Sequence, residues 1–490
     1  MGQGRPLLSI SLLASNRQDT LRRCLDSLHP MMRELSCELI VVNTSTQPET
    51  EAIIREYTDA VIPFLWCNDF SKARNCGLAE ARGEWYLYID DDEWFGDTKA
   101  IVTFFQSGEY RHYGYANYVQ RNFLDPEYKT YSDTWVSRMV QLSPEIRFRS
   151  KIHEYLYPVH GTGCNLNVIA NHTGYIYSSD EDRKKRYERN VPLLREMMQE
   201  EPETLRWALQ LAQEYYSVEE WIELEALCRE SLQNPKYQKQ ALMKRLAATF
   251  YAGLAEALIG KGQIESALTE IAHALSSEDC SPLGAAYLKL QEGICYFEQK
   301  NWDNARGSIQ SYFESEEKIT ADAAQYAIWQ EALLVDSAFD MINQKKAYSV
   351  LLGCSLMQEN TEEALRLFQR LEWEQSVVYV LPQLLPILLE STIGHPHPEY
   401  LQTIWRCIWN NKPLYDMMVT ENRKKWSIHT PEQRALLREG YKTQTIAFLS
   451  KYYQTAAIKK YPLLLPESGQ RALKFMDEIE MGEEEWQKES

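Results

Sequence analysis

Trp85-Tyr86-Leu87-Tyr88-Ile89-Asp90-Asp91-Asp92-Glu93 is the stretch whose reading decides the fold. Five large apolar residues run without a break, and such a short run, aromatic and β-branched, reads as a buried strand. It ends abruptly on four carboxylates. A strand that delivers acidic residues at its carboxyl end is the expected arrangement in an open α/β sheet, where ligands bind beyond the strand ends.

Upstream the same alternation repeats. Leu7–Leu13 is a short β-prone run, and Asn16 offers an N-cap to a helix in which Thr20, Leu21, Cys24, Leu25 and Leu28 recur at helical spacing. Glu38–Val42 reads as a second buried strand, followed by a helix from about Pro48, with proline at its start as helices prefer. Ala60–Leu65 reads as a third strand and Phe70–Ala81 as a helix ended near Gly83. Strands alternating with helices predict a mostly parallel sheet covered on both faces. Asn43 and the Asp90 cluster then lie together at the carboxyl edge.

Four groups of residues bear on chemistry. The carboxylates Asp90, Asp91, Asp92 and Glu93 suit a hard divalent cation bridging a diphosphate; a solvated acidic turn or a calcium site fits the same four residues. In Trp66-Cys67-Asn68-Asp69-Phe70-Ser71-Lys72-Ala73-Arg74-Asn75, Asp69 can accept from a base or ribose, Arg74 presents a donor fork to phosphate, and Asn75 can fix the loop. Read alone, this segment is more simply a helix capped by Ser71 or Asp69 with a solvated arginine. Ser137-Arg138-Met139 precedes Phe148 and Ile152-His153-Glu154, where Glu154 is a candidate general base; a surface His–Glu pair is the plainer alternative. Ala170-Asn171-His172-Thr173-Gly174-Tyr175 precedes Lys185, Arg189 and Asn190, and a neutral His172 can complete a cation's coordination or simply serve the loop.

Taken in order, these elements resemble the family 2 glycosyltransferases of the GT-A fold. The resemblance extends to bacterial members with a tetratricopeptide-like helical tail, a group that includes sublancin-type enzymes glycosylating bacteriocin peptides at sulfur or oxygen. It runs through Leu13-Ala14-Ser15-Asn16, Trp66–Asn75, Ile89–Glu93, Ile152–Glu154 and His172–Tyr175. It implies an α/β GT-A (Rossmann-like) N-terminal domain. It also implies an inverting, metal-dependent hexosyltransferase that moves a hexose or N-acetylhexosamine from a nucleotide sugar, UDP-glucose or UDP-GlcNAc, to a peptide Cys, Ser or Thr. The roles implied are Glu154 as base, Asp92 and His172 on Mn²⁺ or Mg²⁺ with Asp90 beside it, and Asn43, Asp69, Arg74, Asn75, Asp90 and Asp91 on the donor. One departure is Asn43-Thr44-Ser45-Thr46-Gln47-Pro48-Glu49, where the family usually carries Asp-Thr-Gly-Ser-Thr-Asp-Gly. Asn43 stands in place of a carboxylate, and its amide can still read a uracil edge. The rivals are a transferase of cell-envelope glycan synthesis and a repeat scaffold with a decayed transferase domain.

Beyond about residue 195 the pattern turns helical. Ala212 and Tyr215 precede Leu224; Ala255 and Leu258 precede Ala267 and Ala274; Gly293 and Tyr296 precede Ala305; Gly353 precedes Ala364 and Phe368. Small residues at an irregular spacing of about forty from 212 through 255 to 293, with the Gly353 segment as a fourth candidate, suggest tetratricopeptide-like helix pairs, though ordinary bundles also use such pairs. The expected organisation is therefore a catalytic domain at 1–198, repeats at 199–375 and a helical region at 376–490. The tail is expected to bind the acceptor or to pair two subunits as a homodimer. Tyr379–Leu389 with Trp405, Ile408 and Trp409 forms either a partner-facing patch or an interior.

Bulk composition bounds the rest. The 490 residues carry a net charge of −18, with 44% hydrophobic and 25% charged residues. This is soluble globular composition with more than one core. The acidity disfavours nucleic acid and suits a basic or polar peptide acceptor. Ten cysteines without a CxxC pair point to a reducing compartment and no structural zinc. The longest apolar stretch, Val377–Leu389, is interrupted by Pro382 and Pro386 and is too short to span a bilayer, so a cytoplasmic enzyme is expected.

Overall fold

The computed structural model describes residues 5–176, 180–278, 280–322, 326, 333–374, 378–391, 393, 398–426, 429–452 and 465–480; residue 377, at the head of the apolar stretch, lies outside them. The chain divides into two compact units, Met1–Val218 and Glu219–Ser490.

The first unit runs β1 (Leu8–Ala14), α1 (Gln18–Glu34), β2 (Cys37–Asn43), α2 (Pro48–Arg55), β3 (Val61–Pro63), α3 (Phe70–Glu80), β4 (Trp85–Asp90), β5 (Glu93–Phe95) and α4 (Lys99–Gln106). It continues with β6 (Tyr115–Phe123), β7 (Tyr131–Gln141), β8 (Arg147–Arg149), β9 (Tyr155–Tyr157), β10 (Gly163–His172), α5 (Asp180–Glu200) and α6 (Leu205–Ser217). Eight strands form one sheet in the order β3-β2-β1-β4-β7-β6-β10-β5. The β3-β2-β1-β4 half is parallel, as is β6 beside β10; β7 runs antiparallel to β4 and β6, and β5 antiparallel to β10. The sheet is thus mixed, with four of its seven pairings parallel, because the chain after α4 returns as hairpins and not as further βα units.

Both faces are covered. One core gathers β1 and β4 with α1 and α4, where Trp85 meets Phe104 edge-on at a centroid distance of 5.5 Å. The opposite face is closed by α3 and the β8–β9 hairpin through Leu78, Tyr86, Tyr88, Phe148 and Leu156. α3 lies close because Gly77 has no side chain: a Cβ there would stand 2.5 Å from Ser11 Oγ and 3.0 Å from Val42 Cγ2. Asn16 does not cap α1, whose N-cap is Arg17; the Asn16 carboxamide instead accepts from Ser45 Oγ and Thr46 N, tying the two edge loops together.

α6 belongs to the first unit. Its Glu214 accepts from Asn190 Nδ2 at 2.7 Å and its Tyr215 from Arg195 Nη2 at 2.8 Å, both on α5. The first expected repeat is therefore split, with Ala212 and Tyr215 in one unit and Leu224 in the other.

The second unit comprises α7 (Trp221–Gln233), α8 (Pro235–Gln238), α9 (Ala241–Gly260), α10 (Ile264–Leu275), α11 (Pro282–Glu298), α12 (Trp302–Thr320), α13 (Met341–Met357) and α14 (Thr361–Arg370). α15 (Leu384–Ser391), α16 (Pro398–Asn410), α17 (Lys412–Trp426), α18 (Pro431–Tyr452) and α19 (Glu467–Glu480) follow among the described residues. Small residues permit close helix approach here: a Cβ on Gly293 would meet Ile309 at 2.6 Å, and one on Gly353 would meet Phe297 at 2.4 Å. The apolar residues Trp405, Ile408 and Trp409 are 1%, 0% and 0% exposed, and Leu384, Leu385 and Leu389 are fully buried. They are interior and not a partner-facing patch: Trp405 and Trp409 stack on each other, Tyr441 meets Trp405 edge-on, and Phe475 packs tilted against Trp409. Their size decides it, since large apolar side chains gain most from leaving water. No helix among the described residues is long and apolar enough to cross a membrane.

Candidate active site

Parallel pairing sets Leu13 beside Asp90 and Ala14 beside Asn43, so β1, β2 and β4 end at one edge. The loop after β1 meets the turn after β4. Ser15 donates to Asp91 Oδ2 through its N–H at 2.6 Å and its hydroxyl at 2.7 Å. Arg17 ion-pairs with Asp92 and lies 3.4 Å from Asp91 Oδ1. Burial raises the Asp91 carboxyl above the usual range, with Arg17 opposing and Asp92 adding to the rise.

A second cluster threads through the sheet as a row of alternating charges. Arg74, on the buried side of α3, is bonded through Nε to Glu154 Oε1 and through Nη2 to Asp90 Oδ1. Arg138 Nη2 reaches Asp90 Oδ2 and Glu93 Oε1, each at 3.1 Å. Glu93 is fully buried and also accepts from Gln120. Both guanidinium groups lie over Tyr88, at 5.1 and 4.7 Å from its ring centre. Arg138 owes its aim to a bulge: Ala116 pairs with Met139 and Asn117 with Ser137, leaving Arg138 over, and such an extra residue redirects a side chain. Buried charges of this kind are tolerable only when paired. Burial alone would raise the Asp90 carboxyl, but Arg74 and Arg138 outweigh it and hold it low. Burial raises Glu93, with Arg138 opposing.

His172 closes the opposite side. Its Nδ1 donates to Asn122 Oδ1 at 2.7 Å, which leaves the Nε2 lone pair facing Asp92 Oδ1 at 3.6 Å. Burial lowers its pKa against the pull of Asp92 and Asp90, so the ring is neutral above the ordinary histidine range. Holding one ring nitrogen so that the other is free to ligate is the usual support of a metal-binding histidine. Gly174 keeps the space open: a Cβ there would stand 2.4 Å from His172 Nε2 and 3.1 Å from Asp92 Oδ2. A carboxylate and a neutral imidazole are the donor types that could hold a divalent cation here, with its other ligands coming from outside the protein. No set of three candidate metal-ligating side chains exists among the described residues.

The site opens into a cleft of 1010 Å³ whose lining includes Arg17, Thr44, Thr46, Trp66, Phe70, Lys185, Arg186 and Arg189. Asp90, Asp91, Asp92, Arg74, Glu154 and His172 all line it. Asn43, Asp69 and Asn75 are absent from its lining, and each has a local task. Asn43 Oδ1 accepts from Ser45 N at 3.0 Å and shapes the loop after β2. Asn75 clamps Phe148 through both amide atoms at 2.9 Å. Asp69 caps α3, accepting from Lys72 N at 3.0 Å and Ser71 Oγ at 2.7 Å.

Asp69→Ala is expected to cost about 1 kcal/mol of stability, as lost N-caps do, with cleft ligands bound as before. Burial would raise the Asp69 carboxyl, but the bonds from Lys72 and Ser71 lower it overall. The cap's contribution is therefore present above about pH 4, the unfolded value, and is lost as pH falls through the lower folded one. Urea unfolding of both proteins at pH 7 and at pH 3 checks this: the gap should narrow at the lower pH.

Arg17, Arg138 and Asn122 were not assigned roles from the sequence. Arg138 stands in a segment already singled out, but only the bulge shows where it points.

Residues 9–160 match the family model described as Glycosyl transferase family 2. The SPbeta prophage-derived glycosyltransferase SunS of Bacillus subtilis (strain 168) is 27% identical over 239 residues, 47% of this chain and 54% of the relative. A UDP-Glc:alpha-D-GlcNAc-diphosphoundecaprenol beta-1,3-glucosyltransferase, WfaP of Escherichia coli, is 28% identical over 123 residues, 24% of this chain and 49% of that protein. A TPR repeat-containing protein of Synechococcus elongatus is 33% identical over 93 residues, 19% of this chain and 22% of that one. The chain thus spans about half the length of the first of these relatives. Together with the α/β sheet and the acidic strand end, the match establishes that the first unit of this chain contains a family 2 glycosyltransferase domain.

Proposed function

We propose that the chain is an inverting, metal-dependent glycosyltransferase moving a hexose or N-acetylhexosamine from a UDP-sugar to a Cys, Ser or Thr of a peptide. The observation that carries the reading is the placement of Glu154, through Arg74 and Asp90, in the same cleft as Asp92 and His172. Asp92 and His172 would hold Mn²⁺ or Mg²⁺, whose contribution when bound is to offset charge on the departing diphosphate. Arg17, Lys185 and Arg189, all in the cleft lining, lend positive potential to the same region. Arg74 fixes Glu154 by Oε1 and leaves Oε2 to take the acceptor's proton as it attacks the anomeric carbon. In this reading Asp90 and Arg138 hold Arg74 and the cleft floor in place. The helical unit binds the acceptor or pairs two subunits.

The peptide acceptor is favoured by the resemblance to sublancin-type enzymes and by the acidic balance of the chain. The similarity to WfaP supports a second reading, an acceptor carrying a glycan diphosphate. A thermal-shift panel of nucleotide sugars on the full chain tests the core of the proposal. A UDP-sugar should raise the melting temperature with Mn²⁺ present and much less with chelator, because a ligand of the folded state alone stabilises it. No shift with any nucleotide sugar would defeat it. Transfer to a Cys-, Ser- or Thr-containing peptide, against transfer to a lipid-diphosphate glycan, separates the two acceptors.

A further inference from the structure

The loop between β8 and β9, residues 150–154, is held in an unusual shape. Ser150 has φ +77° and His153 φ +50°, a region that residues other than glycine seldom occupy. Such backbone persists where its surroundings over-determine it, and here they do. Phe70 N donates to Lys151 O at 2.9 Å, Asn75 clamps Phe148, and Arg206 Nη2 of α6 donates to His153 O at 2.8 Å.

The result is a cleft-lining residue whose imidazole Nε2 is buried and has no hydrogen-bond partner among the described residues. Buried polar atoms left unpaired are rare and costly in native proteins, and in a binding cleft they mark the place of a ligand atom. Burial, with Arg206, Arg186 and Arg189 adding, lowers the ring's pKa to about 3. A neutral ring offers one N–H and one lone pair. The arginines beside it outcompete it for phosphate, so an uncharged hydroxyl is the partner that suits it.

Resting on the transferase reading above, we propose that His153 determines donor specificity: its Nε2 hydrogen-bonds a hydroxyl of the sugar to be transferred. Its neighbour Glu154 serves the acceptor, so the two residues of one short loop read the two sides of the reaction.

The test uses the full chain with Mn²⁺ and measures binding of UDP, UDP-glucose and UDP-GlcNAc by calorimetry. His153→Gly removes the ring while permitting the left-handed backbone. His153→Asn keeps polar atoms and tolerates that backbone. For His153→Gly, UDP affinity should stay within about twofold while the UDP-sugar bound by the wild type weakens by about tenfold, the loss of one buried hydrogen bond. His153→Asn should recover part of that loss. Parallel weakening of UDP and UDP-sugar would assign the residue to loop structure and overturn the proposal, as would unchanged sugar affinity in both variants. A wild-type protein that binds none of the three ligands removes the transferase reading itself, and this proposal with it.

Discussion

Asp92→Ala is expected to lose metal-dependent donor binding and to reduce transfer by about 10²–10³-fold, the scale seen when a charge-stabilising group is removed from a transition state. The carboxylate sits in the turn between β4 and β5, 3.6 Å from His172 Nε2 and ion-paired with Arg17. Its removal leaves a single protein donor, His172, at a position where the diphosphate's charge must be offset. The fold should survive. The Asp92 backbone oxygen, which accepts from Thr173 N at 3.2 Å, is untouched by the change. Arg17 is half exposed, so water replaces its lost partner at little cost. Donor titrations with and without Mn²⁺, beside a circular dichroism melt, decide the outcome. Full transfer by a normally folded variant would remove Asp92 from the metal site.

Glu154→Gln is expected to keep donor affinity and to lose about 10²–10⁴-fold in turnover, the range for a missing general base. The amide is nearly isosteric and its oxygen can still accept from Arg74 Nε, the bond that Oε1 makes now. Arg74 also retains its ion pair with Asp90, so the buried cation is not stranded. What the amide cannot do is take up a proton. If the acceptor is a cysteine the loss should fall toward the lower end, because a thiol of pKa about 8.5 ionises partly without help. Steady-state kinetics with a thiol and a hydroxyl peptide separate these cases. Weakened donor binding with normal turnover would instead place Glu154 among the donor contacts.

The alternation of strand and helix, the acidic end of β4, the cap signal at Asp69 and the helical second half were legible in the sequence. Each is written in neighbouring residues, through the periodicity of apolar positions or the chemistry of a few consecutive side chains. The relation of Glu154 to Arg74 was not, since 80 residues separate them. Nor were the aim of Arg138, set by a bulge against β6, and the tautomer of His172, set by Asn122 fifty residues away. The same limit explains Asn43, Asp69 and Asn75. Their side chains can recognise a nucleotide or close a local turn, and only the packed chain shows that each is bonded to nearby loop or strand atoms. It bears on Trp405 and Trp409 as well: their size favours an interior, and only the packed chain shows Tyr441 and Phe475 against them. Local pattern thus determined which elements form and where the acidic edge lies. Tertiary structure decided which charges meet there, because a buried ion pair exists only once folding has brought both partners out of water together.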